Sequence, residues 1–320
     1  MRISYIGGGT DYPEYFKDSP GGVISSAIDK YVYVYSNPLS DIAEENYRFT
    51  YRESESVKDY SEFKHPVVRE MLKYLNWSSR MNMGTFADLP SGIGLGGSSA
   101  FSVAMCKLLE LENTIVSNSH FAELAIHIER EVLKEPGGYQ DQYASAFGGL
   151  RSYDFFGDAE PIVSSCLLNE GNALYLEERQ MLIWVGETRN SSLHSMATVQ
   201  SIKSKRVLLQ ETHEIFLSTR AALANSVGNS SEIFKLLSAA VKSSWDLKQS
   251  FTTKQVESVN EVIKIVVKSG IQSFKLCGAG GSGFILVLGE PDELNNLRHN
   301  LVGYKTFQPK IDMDGCKQLL

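Results

Sequence analysis

The chain has 320 residues, 42% hydrophobic and 22% charged, with a formal net charge of −7. That balance belongs to a globular protein rather than a disordered or fibrous one, and without a Lys/Arg block it excludes a surface built to track nucleic acid. No apolar run reaches the ~20 residues of a membrane span, and the length exceeds what one hydrophobic core usually serves, so two domains are expected.

In chain order, RISYI at 2–6 reads as a short strand ended by Gly7-Gly8-Gly9, VYVYS at 32–36 as a β-rich run, and YRFTYRE as a further strand. VVREMLKYL at 67–75 suits a helix, and RMNMGTFA at 80–87 reads as extended. Phe101, Ala104, Met105, Leu108 and Leu111 then recur at helical spacing through Glu112. A second helix is predicted at roughly 119–134, with Phe121, Leu124, Ile128 and Val132 on one face, ending at Pro136-Gly137-Gly138. QMLIWVG reads as a buried strand, 192–268 as mostly helical, and 273–288 as strand, glycine loop, strand. A helix near 291–300 and a strand near 304–310 complete the pattern. Helices and hairpins are segregated rather than strictly alternating, which predicts an α+β fold. The boundary is expected between 155 and 180; placed at 170, it gives domains of 1–170 and 171–320.

Cys106, Cys166, Cys277 and Cys316 are widely spaced, which argues against a zinc site or a disulfide framework. The N-terminus lacks the order of a signal peptide. Together these favour a reducing cytoplasm. The six histidines show no metal-ligand spacing.

The most informative stretch is PSGIGLGGSSA, 90–100, with Gly92, Gly94, Gly96 and Gly97 inside six residues. Gly92-x-Gly94-x-x-Gly97 formally matches a dinucleotide-binding turn. That turn must close a strand directly, however, and a Leu-Pro precedes this one. Ser98 stands where a Walker A loop needs lysine, and no protein-kinase signature occurs. What remains is a loop permitting close backbone approach that enters a helix with unpaired amide hydrogens and a positive dipole end. Such an end receives anions, phosphate above all. Ser98 and Ser99 add hydroxyls able to cap the helix or ligate magnesium.

Pro90-x-x-x-Gly94-Leu95-Gly96-Gly97-Ser98-Ser99-Ala100 resembles the phosphate loop of the GHMP kinases. RISYIGGGTDYPEY at 2–15 resembles their N-terminal substrate motif, and KLCGAGGSGFILVL their C-terminal glycine motif. GGGTD and GGYQDQYASAFGGL, 137–150, are most similar to the subgroup acting on D-glycero-D-manno-heptose 7-phosphate. The resemblance implies an N-terminal domain like ribosomal protein S5 domain 2, a ferredoxin-like C-terminal domain, and ATP between them. It also implies magnesium-dependent phosphorylation of a sugar or sugar phosphate at the anomeric hydroxyl. Rivals are another sugar (fucose, galactose or a uronic acid) and a nucleotide-binding regulator without turnover.

The same resemblance assigns roles. The stretch Pro90, Gly92, Gly94 to Ala100 holds the nucleotide phosphates. Asp141 takes or orients the acceptor's proton; a carboxylate of pKa ~4 is a weak base, so its value lies in positioning. Arg2 corresponds to an arginine near the transferred phosphoryl group, where it offsets developing charge; the alternative so near a terminus is a frayed, inert side chain. Glu129 ligates magnesium with Ser98, while Glu131 and Ser99 stay in contention. Gly8, Gly9, Thr10 and Asp11 read the sugar. Gly278, Gly280, Gly281 and Gly283 form the second glycine loop. Apart from the resemblance, a substrate carrying a second phosphate needs a basic group to receive it, and Arg189 in GETRNSSLHS is the candidate.

Overall fold

The computed structural model describes residues 1–110, 116–166, 169–186, 191–226, 228–249, 257–278 and 283–319, with the backbone alone at 191–194. Its strands form three four-stranded sheets. The first runs Arg2–Ile6, Gly21–Ala27, Leu150–Phe155, Ile162–Ser165, antiparallel throughout. The second runs Val32–Pro38, Met81–Ala87, Tyr47–Thr50, Ser54–Val57, with Tyr47–Thr50 parallel to Met81–Ala87 and the other pairings antiparallel. The third runs Ser273–Leu276, Phe284–Leu288, Gln180–Trp184, Lys305–Phe307, again antiparallel. Four helices separate the first two strands of this sheet in the chain, Ser191–Ile202, Arg206–Asn225, Ser230–Gln249 and Glu257–Lys268. With Pro291–Asn300 before the last strand, the order is the β-α-β-β-α-β of ferredoxin-like folds, carrying extra helices in the first crossover.

Three strands of the first sheet, Arg2–Ile6, Gly21–Ala27 and Leu150–Phe155, are buried on both faces. Val23, Tyr153 and Phe155 pack with the helices Gly97–Leu109, Asn118–Ile126 and Gln140–Phe147. Ile3, Tyr5 and Ile24 pack instead with Phe216, Leu237 and Leu286. This explains why GGVISSA, 21–27, gives no strand signal: a strand covered on both sides needs no alternation, and its leading glycines read as a turn. The third sheet alternates cleanly. Met181, Ile183, Phe274, Leu276, Ile285 and Val287 face the helices Glu257–Lys268 and Pro291–Asn300, while Leu182, Cys277, Phe284, Leu286 and Leu288 face the other way. The chain beyond Phe307 returns to the first sheet, where Ile311 bridges Ile28 and the Gly149 amide donates to Asp312 O at 2.6 Å.

Most expected elements are present, with two differences that bear on the site. The helix expected at 119–134 is α-helical only over Asn118–Ile126 and widens to a π-helix at His127–Val132. A further helix, Gln140–Phe147, starts immediately before Asp141. The Arg2–Ile6 strand is not frayed: Arg2 pairs with Ala27, and the Met1 amine donates to Lys30 O at 2.7 Å. No described helix is long and apolar enough to cross a membrane.

Gly22 carries the Arg206–Asn225 helix: a Cβ there would lie 2.2 Å from Phe216, which is fully buried. Gly22→Ala is expected to destabilise the protein by about 1–3 kcal/mol through overpacking. Gly171→Ala, whose Cβ meets nothing closer than 3.5 Å in an ordinary helical turn, serves as the neutral comparison. Equal urea midpoints for the two variants would show that this contact does not constrain the helix.

Candidate active site

A cavity of about 560 Å³ opens between the first glycine loop, the Gly7-Gly8-Gly9 turn, the start of the Gln140–Phe147 helix and the helices after Ser191. Gly92, Gly94, Gly96, Gly97, Ser98 and Ser99 face it. Ile93 and Leu95 are almost wholly buried and anchor the loop from beneath. Gly96, at φ 72° and ψ 23°, stands at the N-cap of Gly97–Leu109 with no side chain capping the helix. The left-handed backbone favours glycine there. A Cβ on it would also come within 3.2–3.4 Å of the Asp141 carboxylate and Arg2. The loop therefore delivers uncapped amides to the cavity right beside an ion pair.

That pair joins three segments. Arg2 Nε and Nη2 both reach Asp141 Oδ1, at 2.8 and 2.6 Å, while Nη1 donates to Gly94 O at 2.7 Å. The Arg2 backbone amide donates to Leu95 O at 3.0 Å. The Arg2 side chain is 7% exposed and that of Asp141 28%, so the cation is enclosed and the carboxylate keeps a face to the cavity. Asp141 lies in the first helical turn, where the dipole favours its charge.

Asp11 lines the same cavity. Its carboxylate accepts from the Gly9 amide at 3.1 Å and the Gln140 amide at 3.3 Å. Burial raises its pKa, the nearby Asp141 charge adds to the rise, and the backbone donors oppose it. Gly8 and Gly9 border the cavity beside it, but Thr10 does not. Thr10 is fully buried and spends its hydroxyl on Gly22 O at 2.9 Å, so it staples the turn instead of reading a ligand.

Glu129 enters from the π-helical segment. Its Oε2 accepts from Gln142 Nε2 at 2.6 Å and from Ser99 Oγ at 3.3 Å, while its buried Oε1 has no partner. Its carboxyl is raised to about 7, chiefly by burial; the neighbouring Ser102, Gln142 and Ser99 oppose the rise and the Asp141 charge adds to it. An orphaned carboxylate oxygen next to a hydroxyl suits a hard divalent cation. The serine beside it is Ser99; Ser98 sits exposed on the cavity wall. Glu131, also considered from the sequence, points to solvent near Lys134 at 3.6 Å.

Of the remaining residues singled out in the sequence, Pro90, Leu95 and Ala100 are not on the cavity wall. Pro90 is exposed, and Leu95 and Ala100 are buried behind the loop. Gly278 borders the cavity, and Gly283 passes close against the Ile93 carbonyl. Arg189, Gly280 and Gly281 lie outside the described residues. Sequence reasoning missed Gln140, Gln142 and two lysines, Lys248 and Lys275, all on the cavity wall. The one available signal was Lys275, a lysine inside the apolar run SFKLCG.

Residues 63–149 match the family profile described as the GHMP kinases N terminal domain. The chain is 27% identical over 319 aligned residues to D-glycero-alpha-D-manno-heptose 7-phosphate kinase of Campylobacter jejuni, covering 93% of this chain and 90% of that protein. It is 25% identical to galactokinase of Lactobacillus helveticus, covering 99% and 93%. Among solved structures, a D-glycero-D-manno-heptose 1-phosphate kinase from Bacteroides thetaiotaomicron superposes with a TM-score of 0.78 at 20% identity, over 98% of this chain and 95% of the other. The likeness extends along the whole chain and agrees with a cavity bordered by both glycine motifs and the N-terminal turn. Residues 63–149 thus match the GHMP kinase N-terminal domain, and along its length the chain is similar to kinases named for heptose phosphates and galactose.

Proposed function

We propose that the protein is an ATP- and magnesium-dependent sugar 1-kinase acting on D-glycero-D-manno-heptose 7-phosphate to give the 1,7-bisphosphate, in a chain divided near residue 170 into nucleotide-binding and C-terminal domains. The observation that carries the reading is the Arg2–Asp141 pair, set between an open helix N-terminus on one side and the Asp11 carboxylate on the other. One cavity thus offers a phosphate cradle, a polyol reader and a carboxylate to align the acceptor. The likeness to the Campylobacter jejuni heptose kinase supports the choice of sugar.

The chemistry follows from these positions. The anomeric oxygen attacks the γ-phosphorus, the bond from that phosphorus to the β,γ-bridging oxygen breaks, and ADP leaves. Phosphoryl transfer of this kind is loose, and the protein contributes chiefly positioning and charge. Asp141 accepts the hydroxyl proton as the new bond forms, with Arg2 fixing the carboxylate and offsetting charge on the phosphoryl oxygens. Asp11, held by two backbone donors, keeps lone pairs for sugar hydroxyls. Glu129 and Ser99 would hold magnesium, which supplies neutralisation of the phosphate oxygens when bound. A group is also needed for the acceptor's own phosphate. Besides Arg189, the wall on the Asp11 side offers Lys205 with the hydroxyls of Ser195, Ser201 and Thr212. Leu209 lies against Gly9 there, and Tyr12 reaches Ser195 at 3.5 Å.

The direct test is an ADP-release screen over sugars and sugar phosphates with ATP and magnesium. Turnover is expected with heptose 7-phosphate well above galactose or fucose; preference for an unphosphorylated sugar would overturn the assignment. Asp141→Asn is expected to lower kcat by about 10²–10⁴-fold with ATP affinity little changed, and unaltered turnover would remove Asp141 from the mechanism. Ser99→Ala is expected to raise the magnesium concentration required for half-maximal rate more than Ser98→Ala does. The reverse order would move the metal contact to Ser98.

A further inference from the structure

Lys275 occupies a position that an apolar residue should fill. It lies in the Ser273–Leu276 strand, opposite Leu286 on the neighbouring strand. On that face of the sheet its surroundings include Leu182, Leu286 and Cys277. It is 4% exposed, yet it borders the cavity. A lysine is almost never enclosed without a partner. The one hydrogen bond from its ammonium runs to Tyr5 O, at 3.3 Å, and no carboxylate pairs with it among the described residues. Its other N–H donors are left for whatever enters the cavity.

The charged neighbours explain why an anion is the fitting occupant. The Lys275 pKa is lowered to about 7, first by burial and then by the Lys248 and Arg2 charges, with Cys277 opposing. Three cationic side chains, Arg2, Lys248 and Lys275, thus line the cavity within electrostatic reach of one another. Arg2 is neutralised by Asp141, and Lys248 donates to Gly278 O at 3.1 Å. Tyr5 lies on the same strand as Arg2, three residues on, so the ammonium stands on the cavity wall between the Arg2–Asp141 pair and the Gly7-Gly8-Gly9 turn.

We propose that Lys275 is a further catalytic residue, whose ammonium, steadied by Tyr5 O, contacts a non-bridging oxygen of the phosphoryl group being transferred. This rests on the reading of the cavity as the site of nucleotide-dependent transfer. Free of ligand, burial and the neighbouring cations favour the neutral form of the side chain. Arrival of the terminal phosphoryl group favours the charged form, and the proton comes from solvent. Charge is thereby supplied when it is needed, without a permanently buried unpaired cation.

The test measures binding by calorimetry at pH 8, with magnesium and no acceptor, in two buffers of different ionisation enthalpy. The probes are adenosine 5′-O-(3-thiotriphosphate), ADP, and heptose 7-phosphate alone. The wild-type protein is expected to take up more protons with the triphosphate than with ADP; Glu129 and its metal contribute alike to both nucleotides. Lys275→Met is expected to abolish that excess and to weaken the triphosphate by about 10–100-fold relative to ADP, the range of one charge-assisted hydrogen bond. Equal proton uptake with both nucleotides in the wild-type protein overturns the proposal, whether or not the variant folds. So does an unchanged triphosphate-to-ADP ratio in a folded variant. Loss of proton uptake with heptose 7-phosphate alone would assign Lys275 to the acceptor's phosphate instead, again overturning it. Failure of the wild-type protein to bind either nucleotide would overturn the cavity reading itself.

Discussion

The bond between Arg2 and Asp141 organises this molecule. Burying a guanidinium and a carboxylate carries a desolvation cost that their attraction barely offsets, and an apolar pair of similar shape would often serve stability as well. What an apolar pair could not do is fix three backbones at once. Arg2 takes Asp141 with two nitrogens and Gly94 O with a third, and its own amide holds Leu95 O. The first strand, the glycine loop and the first turn of the 140–147 helix are thereby locked in mutual register, with one face of the carboxylate left open to the cavity.

The surrounding charges follow the same logic. Among the described residues, four carboxylates and four basic side chains border a space of about 560 Å³, and they sit in different states of satisfaction. Asp141 is paired. Asp11 is buried on backbone donors. Among the described residues, Glu129 keeps one oxygen orphaned and Lys275 has a single long hydrogen bond. Groups left short of partners in a poorly solvated cavity are costly to the empty protein. They become assets when a polyanion and a cation arrive together, because the environment is already oriented and water need not reorganise.

The glycine loop was plainly legible in the sequence, since four glycines in six residues serve no packing purpose, and the glycines and serines that line the cavity there are among those singled out, though Ile93 is not. Asp141 and Arg2 came from resemblance, not periodicity; no local pattern announces that residues 139 positions apart will meet. The choice between Ser98 and Ser99 depended on helical phase. Glu129 also came from resemblance; the π-widening at His127–Val132 that brings it beside Ser99 is something a 3.6-residue period cannot encode. Thr10 illustrates the opposite error: its place in a functional motif suggested ligand contact, whereas its hydroxyl is used to close the turn. The strand at 21–27 escaped notice because burial on both faces erases alternation. Lys275, a lysine within an apolar run, went unread, and its meaning required the neighbouring strand.

The most direct test of the whole account is a crystal structure with magnesium, a non-hydrolysable ATP analogue and heptose 7-phosphate bound together. The account places the triphosphate along the amides that open the 97–109 helix, with the anomeric oxygen in line with the γ-phosphorus, about 3–3.5 Å away, and beside Asp141. A sugar bound with a different hydroxyl at that position, or a triphosphate lodged away from the helix mouth, would contradict it.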